Sequence, residues 1–284
     1  MSGVAEEAPR AFAPAVGPRR GTRIALRTVA LTYLGILVAV PVLLILYRTF
    51  EHGLGAFWES ITTPAAISAL SLSLLIVAIV VPINVVFGIV TALALVRGRF
   101  RGRGAVQAIV DLPFAVSPIV VGVSLILLWG TDGWLGFLEN DLGFKVIFAL
   151  PGMVLATIFV TLPFIVREVE PVLHEIGEEQ EQAAATLGAS RWQTFWRITL
   201  PAIRWGLTYG VVLTVARALG EFGAVIMVSS GVSGESQTLT LLVHSRYIDD
   251  HNTYGAYAAS TLLMGLAILT LLLMTVLDRK RHAA

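Results

Sequence analysis

Long apolar runs separated by short polar segments dominate the sequence. Six of these runs reach the length of about 20 residues that a helix needs to cross a bilayer. A transmembrane β-barrel is built from strands of about ten residues with alternating polarity, whereas LSLLIVAIVV and LAILTLLLM are continuously apolar. The pattern therefore predicts an all-α membrane protein with six transmembrane helices. They are expected at roughly Thr28–Tyr47, Ala69–Val96, Ala105–Trp129, Val146–Val166, Ile203–Val228 and Ala256–Leu277.

The composition agrees with a membrane protein, because 56% of the residues are hydrophobic, 14% are charged and the mean hydropathy is +0.80. Soluble domains carry about 25% charged residues. If the six runs span the bilayer, sixteen Lys and Arg residues fall on one side, whereas the opposite loops hold only Arg48, Lys145 and Arg246. Basic residues concentrate in cytoplasmic loops, so both termini are expected in the cytoplasm, although the net charge is only +1.

The N-terminal residues differ in composition from the rest of the chain. Residues 1–22 are rich in Ala, Pro, Gly and Arg, which predicts a disordered cytoplasmic tail, and residues 23–284 then form a single membrane domain. A cleaved signal peptide is the alternative interpretation of the first apolar run. That run is longer than a signal-peptide core and no small-residue cleavage site follows it, so a transmembrane helix is favoured. The sequence contains no cysteine, which excludes disulfide bonds.

One polar segment, EEQEQAAATLGASRWQTFWRITLP at Glu178–Pro201, separates the fourth and fifth apolar runs. Its acidic residues precede three alanines, and negative charge is favourable at the N-terminus of a helix built from good helix formers. Gly188 is placed to end that helix in a left-handed conformation, and Ser190 is placed to cap the next one. The spacing predicts a short, smooth helix at about 178–190 that fits a groove on a partner.

Aromatic and basic residues are interspersed in the second half of this segment. Trp192, Phe195 and Trp196 recur at helical spacing beside Arg191 and Arg197. An amphipathic helix of this kind lies at the headgroup level, with its aromatic side chains inward and its arginines toward anionic lipid. An interfacial helix without any protein partner is therefore the alternative interpretation of the segment.

The spacing of the segment resembles the EAA motif in the permeases of ATP-binding-cassette (ABC) importers. In that motif, Glu-Ala-Ala is followed by three residues, Gly, nine residues and Ile-x-Leu-Pro. Here Gln182 replaces the first Glu, and ITLP closes the motif at Pro201. The resemblance implies a type I ABC importer permease (MetI-like) fold, with a coupling helix seated in a cleft of an ATPase subunit. The implied coupling residues are Glu181, Gln182, Ala183, Ala184, Leu187 and Gly188.

Two opposite charges stand inside the fifth apolar run, where Arg217 and Glu221 are four residues apart. A charge at the centre of a transmembrane helix costs about 2.5–3.5 kcal/mol on insertion scales, so such residues face a cavity or a partner. In a helix the two side chains share one face. One interpretation is a structural ion pair that also bridges to another span. The other is that Arg217 faces a substrate pathway that favours an anion, with Glu221 holding its guanidinium.

Polar residues at predicted breaks in the spans are further candidates for the pathway. Pro113 and Pro118 are expected to break the third helix, because proline removes a backbone donor, although such prolines also serve bundle geometry alone. The alternative interpretation of Asn84 is a structural cross-link between helices, and the alternative for the Ser229–Gly231 stretch is a simple turn. The residues that would line the pathway are Ser117, Gly122, Asn84, Ser229 and Ser230.

Several segments are similar to one class of ABC permease. RALGEFGAV and GESQTLTL resemble the permeases for tetrahedral oxyanions, and VPINVVFGI, DLPFAVSPIVVG and FVTLPFIVRE resemble the CysW-type sulfate/thiosulfate permeases in particular. The resemblance implies a permease that translocates sulfate or thiosulfate into the cell, with molybdate or tungstate as alternative oxyanions. A secondary anion transporter is the alternative from another class, and it would need inverted internal repeats.

Motifs for catalysis are absent from the sequence. It has no nucleotide-binding loop G-x-x-x-x-G-K-[ST], no H-E-x-x-H and no G-x-S-x-G, so no catalytic residue, metal or cofactor is expected in this subunit. The resemblance implies that ATP and Mg are bound by the partner ATPase. The implied partners are two ABC ATPase subunits, a second homologous (CysT-like) permease, an extracytoplasmic sulfate-binding protein and membrane lipids, with no nucleic acid. The implied location is the bacterial inner membrane, crossed several times.

Overall fold

The computed structural model describes the backbone of residues 20–283 and the side chains of residues 24–276. Across that range it contains helices, turns and loops but no strand, which confirms the predicted all-α class. The chain divides into two compact units, one that ends at Tyr47 and one that begins at Arg48. Most of the predicted disordered tail, residues 1–19, lies outside the described residues, and residues 20–22 are already helical.

The first unit consists, within the described residues, of helix α1, which runs from Arg20 to Phe50 and so extends into the second unit. Its apolar part, Ile24–Phe50, is long enough to cross a membrane. Side chains along it, such as Leu31 and Leu43, are exposed. A helix of this length with exposed apolar side chains is typical of a transmembrane span, in agreement with the predicted first span.

The second unit contains the other helices. Four of them are long and apolar enough to cross a membrane, and a bent pair, Arg103–Ala115 with Pro118–Trp129, adds one more if it counts as a single span. With α1, the described residues thus hold five candidate spans and up to six. Two π-helical turns, Phe195–Thr199 and Ser245–Asp249, precede α10 and follow α12. The helices are α2 Gly53–Ile61, α3 Pro64–Arg97, α4 Arg103–Ala115, α5 Pro118–Trp129, α6 Phe137–Asn140, α7 Leu150–Ile176, α8 Glu179–Thr186, α9 Arg191–Thr194, α10 Leu200–Leu219, α11 Val225–Val228, α12 Leu239–His244 and α13 Thr253–Ala283.

The third predicted span is broken at Pro118, as expected, whereas Pro113 lies inside α4 and does not break the helix. Helices α4 and α5 meet at an angle of 113°, and the break falls at Val116 and Ser117, which are both extended. Proline disfavours the helical conformation for the residue before it, and at the first position of a helix its missing N–H costs nothing. Pro118 therefore ends one helix and starts the next.

The fifth predicted span, Ile203–Val228, is wrong as a continuous helix, because α10 ends at Leu219. The chain then turns and makes only one further helical turn, α11. The side chain of Glu221 accepts the backbone N–H of Ala224 at 2.8 Å and so stabilises the turn. The run looks continuous in the sequence because the residues after the turn are again hydrophobic.

Helix α7 lies between α3 and α10 at the centre of the second unit. Glycines allow both neighbours to approach it closely. A Cβ added to Gly88 of α3 would overlap the side chain of Ile165, and one added to Gly206 of α10 would lie 2.6 Å from the carbonyl oxygen of Glu168. The three helices therefore form one tightly packed core. Its buried apolar side chains include Leu95, Val169, Leu173 and Ile203.

Near the N-terminal end of α3, the buried side chain of Arg246 joins three segments. Its guanidinium donates to the carbonyl oxygens of Ser60 at 3.1 Å and Gly255 at 3.0 Å, and to the hydroxyl of Thr63 at 2.9 Å. Burial lowers the pKa of Arg246, and the negative charge of Asp250 opposes that shift. Because a buried charge must be hydrogen-bonded, these contacts fix the start of α3 relative to the start of α13.

Candidate functional site

The short helix predicted in the polar segment is present as α8, with a loop on either side. Gly177 before it and Gly188 after it have positive φ angles of 63° and 83°, a conformation that favours glycine. Ser190 caps the following helix, because its hydroxyl accepts the N–H of Gln193 while the Gln193 side chain accepts the N–H of Ser190. The predicted helix, its left-handed end and the next cap are confirmed.

One side of α8 faces away from the rest of the described chain. Gln182 and Ala183 are exposed, Ala184 is half-buried, and Leu187, just beyond the helix, is 88% exposed. A leucine so exposed beside a smooth row of alanines is a surface that a partner can cover. Four of the six predicted coupling residues, Gln182, Ala183, Leu187 and Gly188, are therefore exposed on one short stretch of the chain.

Glu181 differs from the other coupling residues, because its carboxylate points back into the protein. Its Oε2 lies 3.2 Å from Nε of Arg97, and its Oε1 accepts the hydroxyl hydrogen of Thr199 at 2.9 Å. Nη2 of Arg97 donates to the carbonyl oxygen of Gly177 at 2.5 Å. Nε of Arg97 makes no aligned hydrogen bond within the described residues. The attraction between this guanidinium and the Glu181 carboxylate is therefore electrostatic. Sequence reasoning missed Arg97 and Thr199, and the only available signal was an arginine at the end of a predicted span.

The aromatic residues after α8 form one cluster. The ring centroid of Trp196 is 5.5 Å from those of both Trp192 and Phe195. These rings line a groove of about 580 Å³ together with aliphatic side chains of α3 and α10. Trp192 and Trp196 are 69% and 50% exposed. Exposed aromatic rings beside aliphatic side chains are typical of the boundary between lipid and water, in agreement with the predicted interfacial helix.

Arg217 and Glu221 form an ion pair at the end of α10, not in the middle of a helix as predicted. Nη1 of Arg217 lies 2.6 Å from Oε2 of Glu221, whose side chain is 1% exposed against 34% for Arg217. The pair is held by charge, because Oε2 has no aligned hydrogen bond in the described chain. The backbone carbonyl of Glu221 also accepts the hydroxyl hydrogen of Thr240 at 2.8 Å. Glu221 is thus fixed, while about a third of the Arg217 side chain stays exposed.

The break between α4 and α5 lies beside the turn that follows α10. A Cβ added to Gly223 would lie 3.0 Å from Cβ of Pro118, and one added to Gly122 would lie 2.5 Å from Cβ of Met227. Helix α5 therefore packs against the α11 region through glycines. Ser117, directly before Pro118, is exposed at this break, and Pro118 lies beside Gly223, two residues after Glu221. Gly122 is buried in this helix contact, which favours the bundle-geometry interpretation over the pathway interpretation.

Asn84 cross-links two helices. It is completely buried in α3, and its Nδ2 donates to the hydroxyl of Thr161 in α7 at 2.6 Å. That hydroxyl donates in turn to the carbonyl oxygen of Thr157 at 2.6 Å. Oδ1 of Asn84 has no hydrogen-bond partner among the described residues. This placement favours the structural interpretation of Asn84 over the pathway interpretation.

The serines after α11 are hydrogen-bonded to their own loop. The Ser229 hydroxyl donates to the carbonyl oxygen of Ser236 at 2.6 Å and accepts the N–H of Gly231 at 2.9 Å. The N–H of Ser230 donates to the Ser236 hydroxyl at 3.0 Å. Groups that already have partners in the protein are poor donors for an anion, so the arrangement favours the turn interpretation of this stretch.

Two of the histidines in the described residues, His52 and His244, pack against aromatic rings. The His52 ring lies 4.9 Å from that of Tyr254, and the His244 ring lies 5.4 Å from that of Phe222. Within the same part of the chain, no group of three or more His, Cys, Asp or Glu side chains is placed to hold a metal ion.

Comparison with known proteins agrees with this geometry. Residues 84–283 match the family model described as "Binding-protein-dependent transport system inner membrane component". The chain is 46% identical over 257 residues to the sulfate transport system permease protein CysW of Synechococcus elongatus, covering 90% of each chain. It is 34% identical over 257 residues to the sulfate transport system permease protein CysT of Synechocystis sp., again covering 90% of each.

Among solved structures, the fold is similar to that of a bacterial alginate ABC transporter crystallised with an alginate pentasaccharide-bound periplasmic protein. The TM-score is 0.75 at 18% identity, over 92% of this chain and 94% of the other. At that identity the likeness concerns the fold alone. The family match covers well over half of the chain. The chain therefore belongs to the family of binding-protein-dependent transport system inner membrane components and has the fold of an ABC importer permease.

Proposed function

We propose that this chain is the membrane-spanning permease subunit of an ATP-driven ABC importer that translocates sulfate or thiosulfate into the cell. The observation that carries the proposal is the 46% identity to a CysW permease over 90% of both chains. Two features of the structure then take separate roles. The Arg217–Glu221 pair acts on the anion, and the exposed surface of α8 acts on the ATPase.

The electrostatics of the pair suit the passage of a dianion. An ion that crosses a membrane exchanges its hydration shell for donors, and a binding site that is too strong retains it. Glu221 neutralises part of the charge of Arg217 at 2.6 Å, while Arg217 keeps an accessible part of its side chain. Ser117 adds an exposed hydroxyl at the neighbouring helix break. Arg217, Glu221 and Ser117 are the proposed pathway residues, and tight selection of the anion is left to a binding protein.

The exposed side of α8 is the proposed contact with the ATPase. Gln182, Ala183, Ala184 and Leu187 supply a small, smooth surface, and Gly188 provides the left-handed end that shapes it. In the proposed complex, two ABC ATPase subunits bind ATP and Mg and hydrolyse the ATP. A second permease similar to CysT and an extracytoplasmic sulfate-binding protein complete it.

The proposed location is the bacterial inner membrane, with both termini and α8 on the cytoplasmic side. The uneven distribution of Lys and Arg supports this orientation, since basic residues concentrate in cytoplasmic loops. It places α8 where ATP is available. It also places Arg246 and its hydrogen-bonded segments on the side that the binding protein approaches.

The test is uptake of labelled sulfate by cells that carry the whole complex, with thiosulfate and molybdate added separately as competitors. We expect uptake that needs the ATPase and that thiosulfate reduces more than molybdate does. Stronger competition by molybdate would overturn the sulfate assignment in favour of another tetrahedral oxyanion. Uptake that continues without the ATPase would instead indicate a secondary anion transporter, in which α8 has no role.

A further inference from the structure

Polar contacts that begin at the side chain of Arg97, the last residue of α3, join four elements of the second unit. Its Nη2 donates to the carbonyl oxygen of Gly177, just after α7, and its Nε lies 3.2 Å from the Glu181 carboxylate on α8. The same carboxylate accepts the hydroxyl hydrogen of Thr199, the residue before α10. The Arg97 network, defined by these four residues, therefore links α3, α7, α8 and α10.

Packing contributes little to holding α8 in place. No residue of α8 is buried within the described chain. A cavity of about 270 Å³ lies beside the helix, with Glu181, Ala185 and Thr199 among its lining residues. Both connections of α8 pass through glycines, Gly177 and Gly188, and glycine has the greatest conformational freedom of any residue. The polar contacts of Glu181 are therefore the main restraint on the orientation of α8.

The contacts between Arg97, Glu181 and Thr199 are partly buried, which strengthens the attraction between the charges. The side chains of Arg97 and Glu181 are 18% and 23% exposed, and Thr199 is buried. Charges that are partly buried are screened by salt much less than exposed ones. A guanidinium offers several donors in a fixed plane, which lets Arg97 contact a carbonyl and a carboxylate together. Glu178 adds a second carboxylate at 4.0 Å from Nη1 of Arg97.

On the far side of the network lies the tightly packed core of α3, α7 and α10, in which Gly88 and Gly206 bring the helices together. Well-packed elements transmit a displacement without deforming. A restraint between α8 and this core would therefore carry a displacement of α8 to three membrane-spanning helices at once. Without it, α8 would rotate about its two glycines and the displacement would be lost.

We propose that Arg97 and Thr199 are positioning residues that, through Glu181, make α8 one rigid body with the adjoining ends of α3, α7 and α10. The proposal rests on the proposed function, in which α8 receives the motion of an ATPase. The network neither binds the anion nor contacts ATP. Its role is to keep ATP hydrolysis coupled to movement of the spans.

The test compares variants in the assembled transporter, reconstituted in liposomes with its binding protein and sulfate. Glu181→Gln removes the charge, and Thr199→Val removes only the hydroxyl. Glu179→Gln, an exposed residue in the first turn of the same helix, is the matched control. We expect sulfate imported per ATP hydrolysed to fall by about fivefold or more in Glu181→Gln, the lower end of typical coupling factors between sites. Thr199→Val should show a smaller fall, and Glu179→Gln none.

The ratio separates positioning from a general loss of structure. If a residue only stabilises the fold, replacing it lowers the amount of assembled complex. The complexes that do assemble then import the wild-type amount of sulfate per ATP hydrolysed. The proposal would be overturned if both Glu181→Gln and Thr199→Val imported as much sulfate per ATP hydrolysed as the wild type. If Glu181→Gln does not assemble, the result for Thr199→Val decides by itself. If ATP hydrolysis by the wild-type complex does not depend on sulfate, the proposed function is contradicted, whereas the proposed role of the Arg97 network is not.

A spectroscopic test does not depend on the transported solute. The chain has no cysteine, so a pair of spin labels is introduced directly at two exposed positions, Leu187→Cys and Arg204→Cys. In the full-length chain we expect a narrow distribution of distances that broadens with Glu181→Gln but not with Glu179→Gln. An unchanged width in Glu181→Gln would show that the network does not restrain α8.

Discussion

Nη1 of Arg217 lies 2.6 Å from Oε2 of Glu221, across the point at which α10 ends. The two partners are not equivalent. The carboxylate is buried and also accepts the N–H of Ala224, whereas a third of the arginine side chain is exposed. The carboxylate is therefore the fixed partner and the guanidinium the accessible one, so changes at the two residues have different consequences.

Replacing Arg217 should reduce uptake for two separable reasons. Arg217→Ala leaves the buried Glu221 carboxylate without its counter-ion, which costs about 3–5 kcal/mol in a fully buried pair and less here because Arg217 is partly exposed. Assembly should therefore fall together with uptake. The double variant Arg217→Met, Glu221→Gln removes both charges and should recover assembly. Its uptake per assembled complex should remain low, since no positive group then faces the anion, and normal uptake by this variant would remove Arg217 from the pathway.

Enlarging Gly188 should detach the ATPase. Gly188→Val forces a branched residue into a left-handed conformation, which costs about 1–2 kcal/mol and reorients the exposed Leu187 beside it. Gly143→Val is the matched control, because Gly143 has a φ of 67° and, like Gly188, no described atom within 4 Å of an added Cβ. Co-purification of the ATPase should be lost in the first variant only. If Gly188→Val retains both the ATPase and transport, α8 is not the coupling element.

The spans and the break at Pro118 were predictable because each depends on local chemistry. An apolar run of sufficient length and the restriction that proline places on the preceding residue are both visible in sequence. The end of α10 at Leu219 was not predictable, since it depends on a hydrogen bond between Glu221 and Ala224 inside a run that stays hydrophobic. A single glycine there does not distinguish a helix end from a helix interior.

The contacts of the charged and polar residues were harder to predict. Arg97 and Glu181 are separated by more than eighty residues, and the arginine counted only as one of many basic residues near the ends of the spans. Asn84 was recognised as unusual, but its partner Thr161 comes from the way α3 packs on α7. Residue type therefore indicates that a polar side chain inside a span needs a partner, while only the packing identifies which one.

Replacing Asn84 by an isosteric apolar residue should be tolerated. Asn84→Leu removes a buried amide whose Oδ1 has no partner among the described residues, and Thr161 keeps its hydrogen bond to the carbonyl of Thr157. Loss of one hydrogen bond costs about 0.5–1.5 kcal/mol, and removal of the unpaired acceptor offsets it. Sulfate uptake and the melting temperature should both stay close to wild type. Uptake that is abolished in a stably assembled Asn84→Leu complex would restore Asn84 to the pathway.

A single methyl group at Gly206 should destabilise the core around α7. The Cβ of Gly206→Ala would lie 2.6 Å from the carbonyl oxygen of Glu168, and a backbone atom cannot move aside as a side chain can, so the helices must separate at a cost of about 1–3 kcal/mol. Gly265→Ala in α13 is the matched control, because no described atom lies within 4 Å of its Cβ and alanine is the better helix former. Thermal unfolding of the detergent-solubilised complex should show a lower midpoint for Gly206→Ala and an equal or higher one for Gly265→Ala. Equal midpoints for Gly206→Ala and wild type would mean that α7 and α10 are not in close backbone contact, and that a displacement of α8 reaches α10 only through Thr199.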